Sequence, residues 1–378
     1  MLRALFVFGT RPEAIKLCPV ILHMKNRPGD FSVQVAVTGQ HRQMLDQVLE
    51  AFGVVPDFDL NVMTPGQTLA ASTSRIIASL ENVYSEARPD LAFVQGDTTT
   101  TLCGALAGFY ARVPIAHVEA GLRTGDLMQP FPEEMNRVVT SRLAALHLAA
   151  TEGARANLLH EGIRDDSIHV TGNSGIDAVL HVRDRLISNE LAGADWSFLD
   201  PEKRLIVVTA HRRESFGEGF ENICQALRLI AERGDVEIVY PVHRNPNVNG
   251  PVRRYLTDIP GIHLIEPLDY VPFVDLMRRA YLLLTDSGGI QEEGPSLGKP
   301  VIVMREKTER PEAVDAGTVR LAGTDCDRIV AEVVRLLDDA GAWDAMSRVH
   351  NPYGDGHASE RIAAAALDLL SSNTIGDR

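Results

Sequence analysis

Cysteine is scarce in this 378-residue chain, and its four copies, Cys18, Cys103, Cys224 and Cys326, lie far apart with no CxxC spacing. That excludes the disulfide framework of a small secreted domain and predicts reduced, structural thiols. Basic clusters are lacking too. Lys and Arg number 37 against 51 Asp and Glu, a net charge of −14, which excludes a nucleic-acid surface and requires any acidic ligand to be held by a local basic pocket. No apolar run approaches the ~20 residues of a membrane span. Only Arg3 precedes the first apolar strand and no cleavage site follows it, so a signal peptide is not expected. The histidines lack zinc-type spacing and the acids form no evident Mg²⁺ set, so no metal is expected. A dinucleotide fingerprint is missing as well. Its nearest approach, Gly217-Glu218-Gly219-Phe220-Glu221-Asn222, has Asn222 in place of the third glycine and does not directly follow a strand, so no nicotinamide cofactor is expected.

What the chain does have is a regular alternation. With 45% hydrophobic residues it is long enough for two domains with their own cores. Apolar runs at 4–8, 33–37, 91–95, 115–118 and 146–149 each precede a helical pattern, and the rhythm restarts after Thr171-Gly172-Asn173 with runs at 205–209, 237–240, 262–265, 281–285, 301–304 and 319–321. Such alternation predicts parallel sheets, hence an α/β protein of two Rossmann-like doubly wound domains. The boundary falls near Gly172, giving domains at 1–171 and 172–356, with a closing helix in 357–378 expected to complete the first. Residues 195–203, rich in turn formers, read as a loop inside the second domain.

In open parallel sheets, ligands gather at the carboxyl ends of strands. After 281–285 comes Asp286-Ser287-Gly288-Gly289-Ile290-Gln291-Glu292-Glu293, a strand, a glycine turn and a helix start. Adjacent glycines admit a close ligand, and free helix N–H groups favour an anion. No lysine follows them, and Glu292 and Glu293 suit ribose hydroxyls, so a sugar nucleotide fits better than a metal–triphosphate. An ordinary strand-to-helix turn would look the same. Arg11 and Lys16 flank a helix opened by Pro12, and Arg310 stands in a similar setting in Thr308-Glu309-Arg310-Pro311. These cations could clamp a diphosphate from each domain; solvated helix ends, or an ion pair of Arg310 with Glu309, are the plain alternatives.

Three acids follow strands of the first domain. Asp97 precedes Thr98-Thr99-Thr100-Thr101, where it could also be an N-cap; Glu119 shares a strand side with His117 by alternation; Glu133 opens a helix after Pro132. Convergence on one cleft would allow general acid and general base roles. In the second domain the strand at 205–209 delivers His211, beside Arg212 and Arg213, to the corresponding edge, where it could contact phosphate or hold an acid.

Taken in order, the segments 9–16, 39–46, 96–101, 117–125, 132–134, 211–214, 240–243, 286–298, 308–313 and 351–356 resemble the non-hydrolysing UDP-N-acetylglucosamine 2-epimerases over nearly the whole chain. The resemblance implies a glycosyltransferase-B-like fold with the active site in the interdomain cleft. It also implies a cytoplasmic homodimer that converts UDP-GlcNAc to UDP-ManNAc for surface polysaccharide, without a cofactor. By the same resemblance Asp97, Glu119 and Glu133 are the catalytic acids, and His211, Arg11, Lys16 and Arg310 hold or stabilise the diphosphate. Ser287, Gly288 and Gly289 would bind phosphate, Glu293 the ribose, and Phe273 with the backbone near Leu268 the uracil. A second, activating UDP-GlcNAc would meet Gln40, Gln43, Gln67, Arg212 and His243. Two positions depart from the family pattern: Gly66, where some members have arginine, removes a charged contact to that activator, and Gln95 stands where histidine is frequent.

The residues alone lead to a two-domain sugar-nucleotide binder, and only the resemblance selects epimerisation. A UDP-sugar glycosyltransferase would share the fold and the UDP site but needs an acceptor groove. A non-catalytic nucleotide-sugar sensor would keep Arg11, Arg310 and the Ser287-Gly288-Gly289 loop without needing the three acids.

Overall fold

The computed structural model describes residues 1–39, 42–62, 64, 66–308, 310–348 and 350–376. The chain packs as two units, the first comprising Met1–Ala178 with the end of the chain from Gly354, the second Val179–Tyr353. Among the described residues the first unit holds seven strands: β1 (Leu2–Phe8), β2 (Phe31–Val37), β3 (Phe58–Asp59), β4 (Leu91–Gln95), β5 (Ile115–Ala120), β6 (Leu146–Ala149) and β7 (Ile168–Val170). They form one parallel sheet in the order β3-β2-β1-β4-β5-β6-β7. The second unit has β8 (Arg204–Thr209), β9 (Val236–Pro241), β10 (Ile262–Ile265), β11 (Leu282–Thr285), β12 (Val301–Val303) and β13 (Val319–Leu321). These also run parallel, in the order β10-β9-β8-β11-β12-β13. The two Rossmann-like sheets expected from the alternation are therefore present.

Sheets covered by helices on both faces need strands that are apolar on both sides, and β1 supplies this: Leu5, Phe6, Val7 and Phe8 are all fully buried. Phe6 stacks on Phe93 of β4 with ring centroids 4.5 Å apart. Leu5, Val7 and Val94 belong to a cluster with Ile76, Leu80 and Tyr84 of helix Leu69–Ala87. Truncating such a side chain, as in Leu5→Ala, costs about 2–5 kcal/mol. In the second unit Ile206, Val208, Ile238, Leu282 and Leu284 pack with Phe220, Ile223 and Leu227 of helix Glu218–Ala231.

Strand order reverses between β1 and β4 in the first sheet and between β8 and β11 in the second. Crossovers leave the sheet in opposite directions there, which opens a crevice at the strands' carboxyl ends. The expected strands lie within two residues of the observed ones. Two were not anticipated, β3 and β7, edge strands of two and three residues that are too short to show a period. The last helix, Ala358–Gly376, packs on helix Arg11–Lys25, and its Ala358 and Ser359 N–H groups donate to the Asp177 carboxylate at 3.2 and 2.7 Å. The division between units falls inside helix Ser174–Ile187. All four cysteines are free thiols, with Cys18, Cys103 and Cys224 buried. Among the described residues no helix is long and apolar enough to cross a membrane.

Candidate active site

β4 ends at Gln95, and Gly96, at φ +71°, turns the backbone into Asp97. A left-handed φ favours glycine, which carries no Cβ to clash. The cap of the following helix, Thr99–Tyr110, is Thr98, whose hydroxyl accepts the Thr101 N–H at 3.1 Å. Asp97 is therefore not consumed as an N-cap. Its side chain keeps 32% of its surface, and the Arg137 guanidinium approaches it to 3.6 Å. Burial, then the nearby Glu119 charge, push the Asp97 carboxyl up to about 6; Glu133 adds to the rise, while Arg137 and Lys16 oppose it. Helix Glu133–Leu143 also reaches Asp97, for its Asn136 donates to the Asp97 carbonyl at 2.9 Å.

Glu119 sits in β5 at φ +62°, and the register of β5 on β6 shifts between Val118 and Ala120. A non-glycine residue in this conformation costs on the order of 1–3 kcal/mol and tends to mark a functional position. Its carboxylate accepts the Gln95 amide at 2.5 Å and pairs with the Lys16 ammonium. His117, fully buried, donates from Nε2 to the Gly96 carbonyl at 2.7 Å. Burial drives its pKa down to about 3, so the ring is neutral at ordinary pH. His117 reaches the Gly96 carbonyl and Glu119 stands beside the same turn, since a Cβ at Gly96 would lie 3.6 Å from its carboxylate, but the left-handed φ and the register shift break the simple alternation there. Gln95 thus supplies a hydrogen bond to Glu119.

Arg11 and Lys16 both lie on helix Arg11–Lys25, opened by Pro12 as expected. Arg11 is half-buried, and the Lys16 ammonium pairs with the Glu119 carboxylate. Between them, buried Glu13 accepts the Gly9 and Thr10 N–H groups at 3.0 and 2.7 Å and the Thr98 and Thr101 hydroxyls at 2.7 and 3.2 Å. This carboxylate ties the loop that carries Arg11 to the loop that carries Asp97. Glu133 begins helix Glu133–Leu143 and is half-buried.

In the second unit, β8 leads to His211 and β11 to Asp286. Asp286 is fully buried, and its Oδ2 accepts the His211 and Arg212 N–H groups at 2.6 and 2.7 Å. Its Oδ1 lies 3.5 Å from His211 Nδ1. Burial lowers the His211 pKa, and the Asp286 charge works against that fall. Fully buried Tyr240 fixes the same loop by donating to the Ala210 carbonyl at 2.7 Å. Ser287 caps helix Gly288–Ser296, and its own N–H donates to the Thr285 hydroxyl at 2.9 Å. Arg310 lies over this helix start, since a Cβ at Gly288 would stand 2.7 Å from its Cζ. The guanidinium donates to Glu292 at 2.6 Å, which holds it at the helix N-terminus, where an anion would be favoured. Glu309, the partner considered from sequence, lies outside the described residues.

Glu293 is half-buried one turn along the same helix, and Phe273 and Leu268 are half-buried on and just before helix Tyr270–Arg279. Of the proposed activator contacts, Gln40 lies outside the described residues, and Gln43 falls in the first turn of helix Arg42–Phe52. Gln67 accepts the Thr64 hydroxyl at 3.2 Å, next to Gly66 at φ +74°. Those glutamines belong to the first unit, while Arg212 and His243 belong to the second, where the His243 ring stacks on His211 at 5.5 Å. Among the described residues no group of His, Cys, Asp or Glu is arranged to hold a metal ion.

Sequence reasoning passed over Glu13, Asn136, Arg137 and Asp286. Glu13 had a readable signal, the Thr10-x-x-Glu13 spacing of a capping box. Asn136 and Arg137 follow Glu133 by three and four residues, which places them on the same helix face. Asp286 directly follows a strand, as Asp97 nearly does.

The family model for UDP-N-acetylglucosamine 2-epimerase matches residues 23–367. The chain belongs to this family. The UDP-N-acetylglucosamine 2-epimerase of Escherichia coli K12 is 57% identical over 380 aligned residues, covering 99% of this chain and all of that protein. The Neisseria meningitidis UDP-GlcNAc 2-epimerase, solved bound to UDP-GlcNAc, superposes with a TM-score of 0.87 at 45% identity over 97% of this chain and 100% of that one. A glycosyltransferase from Streptomyces nogalater shares the fold alone, with a TM-score of 0.62 at 16% identity over 97% and 99% of the two chains. The glycosyltransferase-B-like architecture follows, and so does the class of the epimerase family, an isomerase.

Proposed function

We propose that this chain interconverts UDP-GlcNAc and UDP-ManNAc by eliminating and re-adding UDP, without net hydrolysis. The observation that carries the reading is the Asp97, Glu119 and Glu133 cluster at the β1/β4 reversal. A nucleotide-binding module has no need of three converging acids. The relative solved with UDP-GlcNAc bound supports the ligand.

The C2 proton of the sugar is not adjacent to a carbonyl, so its simple removal is difficult. Elimination avoids that barrier. A carboxylate takes the C2 proton, the C–H electrons form the C1=C2 double bond, and the C1–O bond breaks with its pair leaving on UDP. Re-addition of UDP oxygen to C1, with a proton delivered to the opposite face of C2, completes the inversion. This chemistry needs acid–base groups on both faces and fixed positive charge beside the departing phosphate. A carboxyl near 6, as at Asp97, can exchange a proton close to neutrality. Lys16 and Gln95 orient Glu119 for the same work. Arg310, His211 and the Ser287-Gly288-Gly289 backbone hold the leaving diphosphate, and Arg11 is a further cation for it. Glu293 takes the ribose, and Phe273 with Leu268 the base. We place the enzyme in the cytoplasm as a homodimer that supplies surface polysaccharide synthesis.

Protein incubated with UDP-GlcNAc alone in heavy water is expected to form UDP-ManNAc carrying deuterium at C2, read by proton NMR. Turnover only with an added sugar acceptor would instead identify a glycosyltransferase. Binding with no turnover would identify a sensor.

A further inference from the structure

The turn of helix that presents Glu133 also grips Asp97. Asn136 donates from Nδ2 to the Asp97 carbonyl at 2.9 Å, and Arg137 brings its guanidinium to 3.6 Å from the Asp97 carboxylate. Arg137 is itself 8% exposed, and Glu134, 1% exposed, stands 2.7 Å from its Nε. The other Glu134 oxygen accepts the Thr124 and Gly125 N–H groups, both at 3.0 Å, and so anchors the segment between β5 and this helix. We propose that Glu134, Asn136 and Arg137 form a brace of positioning residues that holds the Asp97 carboxylate in place and meters the positive charge it feels. The proposal deepens the reading of Asp97 as a proton-transfer group and rests on it.

The geometry shows a cation shared between two carboxylates. A dedicated charge-assisted bond would close to about 2.7–2.9 Å. Arg137 Nε comes to 2.7 Å from Glu134 without the alignment of a hydrogen bond, and the guanidinium stays 3.6 Å from Asp97, so neither carboxylate holds it exclusively. A buried guanidinium without a counter-ion is costly, and Glu134 supplies one behind it. The charged groups facing Asp97 are Glu119 on β5, Lys16 on helix Arg11–Lys25, and Glu133 and Arg137 on helix Glu133–Leu143. Full pairing with Arg137 would make Asp97 a weaker base, and removal of Arg137 would raise its protonated fraction near neutral pH. Partial pairing keeps it between these limits.

Substitutions on the two sides of the shared cation are therefore expected to act with opposite sign. The Asp97 carboxyl can be titrated by carbon NMR in the full chain, with its signal assigned by loss in Asp97→Asn, alongside the pH profile of kcat/KM. Glu134→Gln frees Arg137 for Asp97 and moves both the titration and the acid limb to lower pH. Arg137→Gln moves both to higher pH, by about one unit, a roughly tenfold loss of kcat/KM on the acid side. Arg137→Lys restores part of that shift. General loosening of the site would not give opposite shifts. An Asp97 titration that stays put in both variants, or moves the same way in both, overturns the brace. Should Arg137→Gln fail to fold, the Glu134→Gln/Arg137→Gln pair removes both charges and should still raise the titration, because Arg137 is the nearer charge. NMR shifts of the expected signs with an unmoved acid limb would uphold the brace and refute the proton-transfer role of Asp97.

Discussion

Asp97 and Asp286 occupy matching places, each just beyond a strand at the order reversal of its own sheet, yet their surroundings differ. Asp97 follows β4 and a left-handed glycine, keeps part of its carboxylate exposed, and lies among other acids with one cation at 3.6 Å. Asp286 follows β11 directly, is fully buried, and uses an oxygen on the His211 and Arg212 N–H groups. One residue type in one architectural position is thus left partly open in the first unit and committed to loop geometry in the second. The hydrogen-bond donors within reach decide which, and those come from distant segments.

The contrast can be broken most severely at Asp97. Asp97→Asn is expected to lower kcat by about a thousandfold, the usual weight of an acid–base group, with UDP affinity within a few-fold of the parent by calorimetry. Arg310→Gln should reverse the pattern and weaken UDP by roughly ten- to a hundredfold, the worth of a hydrogen bond to a charged group. Gly288→Ala sharpens this, because the new Cβ would stand 2.7 Å from Arg310 Cζ and displace the guanidinium without removing it. Its loss of UDP affinity should be smaller than that of Arg310→Gln.

The least effect is on stability, and its sign separates the two aspartates. The Asp97 pKa is raised in the folded chain, so its stabilising contribution is present below the unfolded value near 3.8 and is lost as pH rises through about 6. Asp97→Asn should therefore raise the melting temperature at pH 8, by on the order of 1–2 °C, with the gain shrinking as pH falls through 6. Asp286→Asn should lower it, because two N–H bonds to a charged acceptor become bonds to a neutral one. Thermal melts of both variants between pH 5 and 8 read the difference.

Much of the fold was legible because long buried strands announce themselves as unbroken apolar runs. The four strands beside the two order reversals, β1, β4, β8 and β11, were all found that way, and the residues beyond them were the ones singled out. β3 and β7 were invisible, since two or three residues carry no period. At the site, sequence could nominate Asp97, Glu119 and Glu133, but not that Thr98 would take over the cap, nor that Lys16 would pair with Glu119. Those outcomes depend on contacts across 103 residues in the Lys16 case. The brace of Glu134, Asn136 and Arg137 was hidden for the same reason, for its targets lie in other loops.

The central claim is that carboxylates exchange the sugar C2 proton while UDP departs, and a crystal structure of this chain with UDP-GlcNAc tests it most directly. The account predicts the diphosphate against Arg310, His211 and the Ser287-Gly288-Gly289 backbone, with the sugar C2 within reach of the Asp97 and Glu119 carboxylates. A nucleotide sugar held by the second unit alone, with C2 facing solvent and no carboxylate of the first unit near it, would contradict the account.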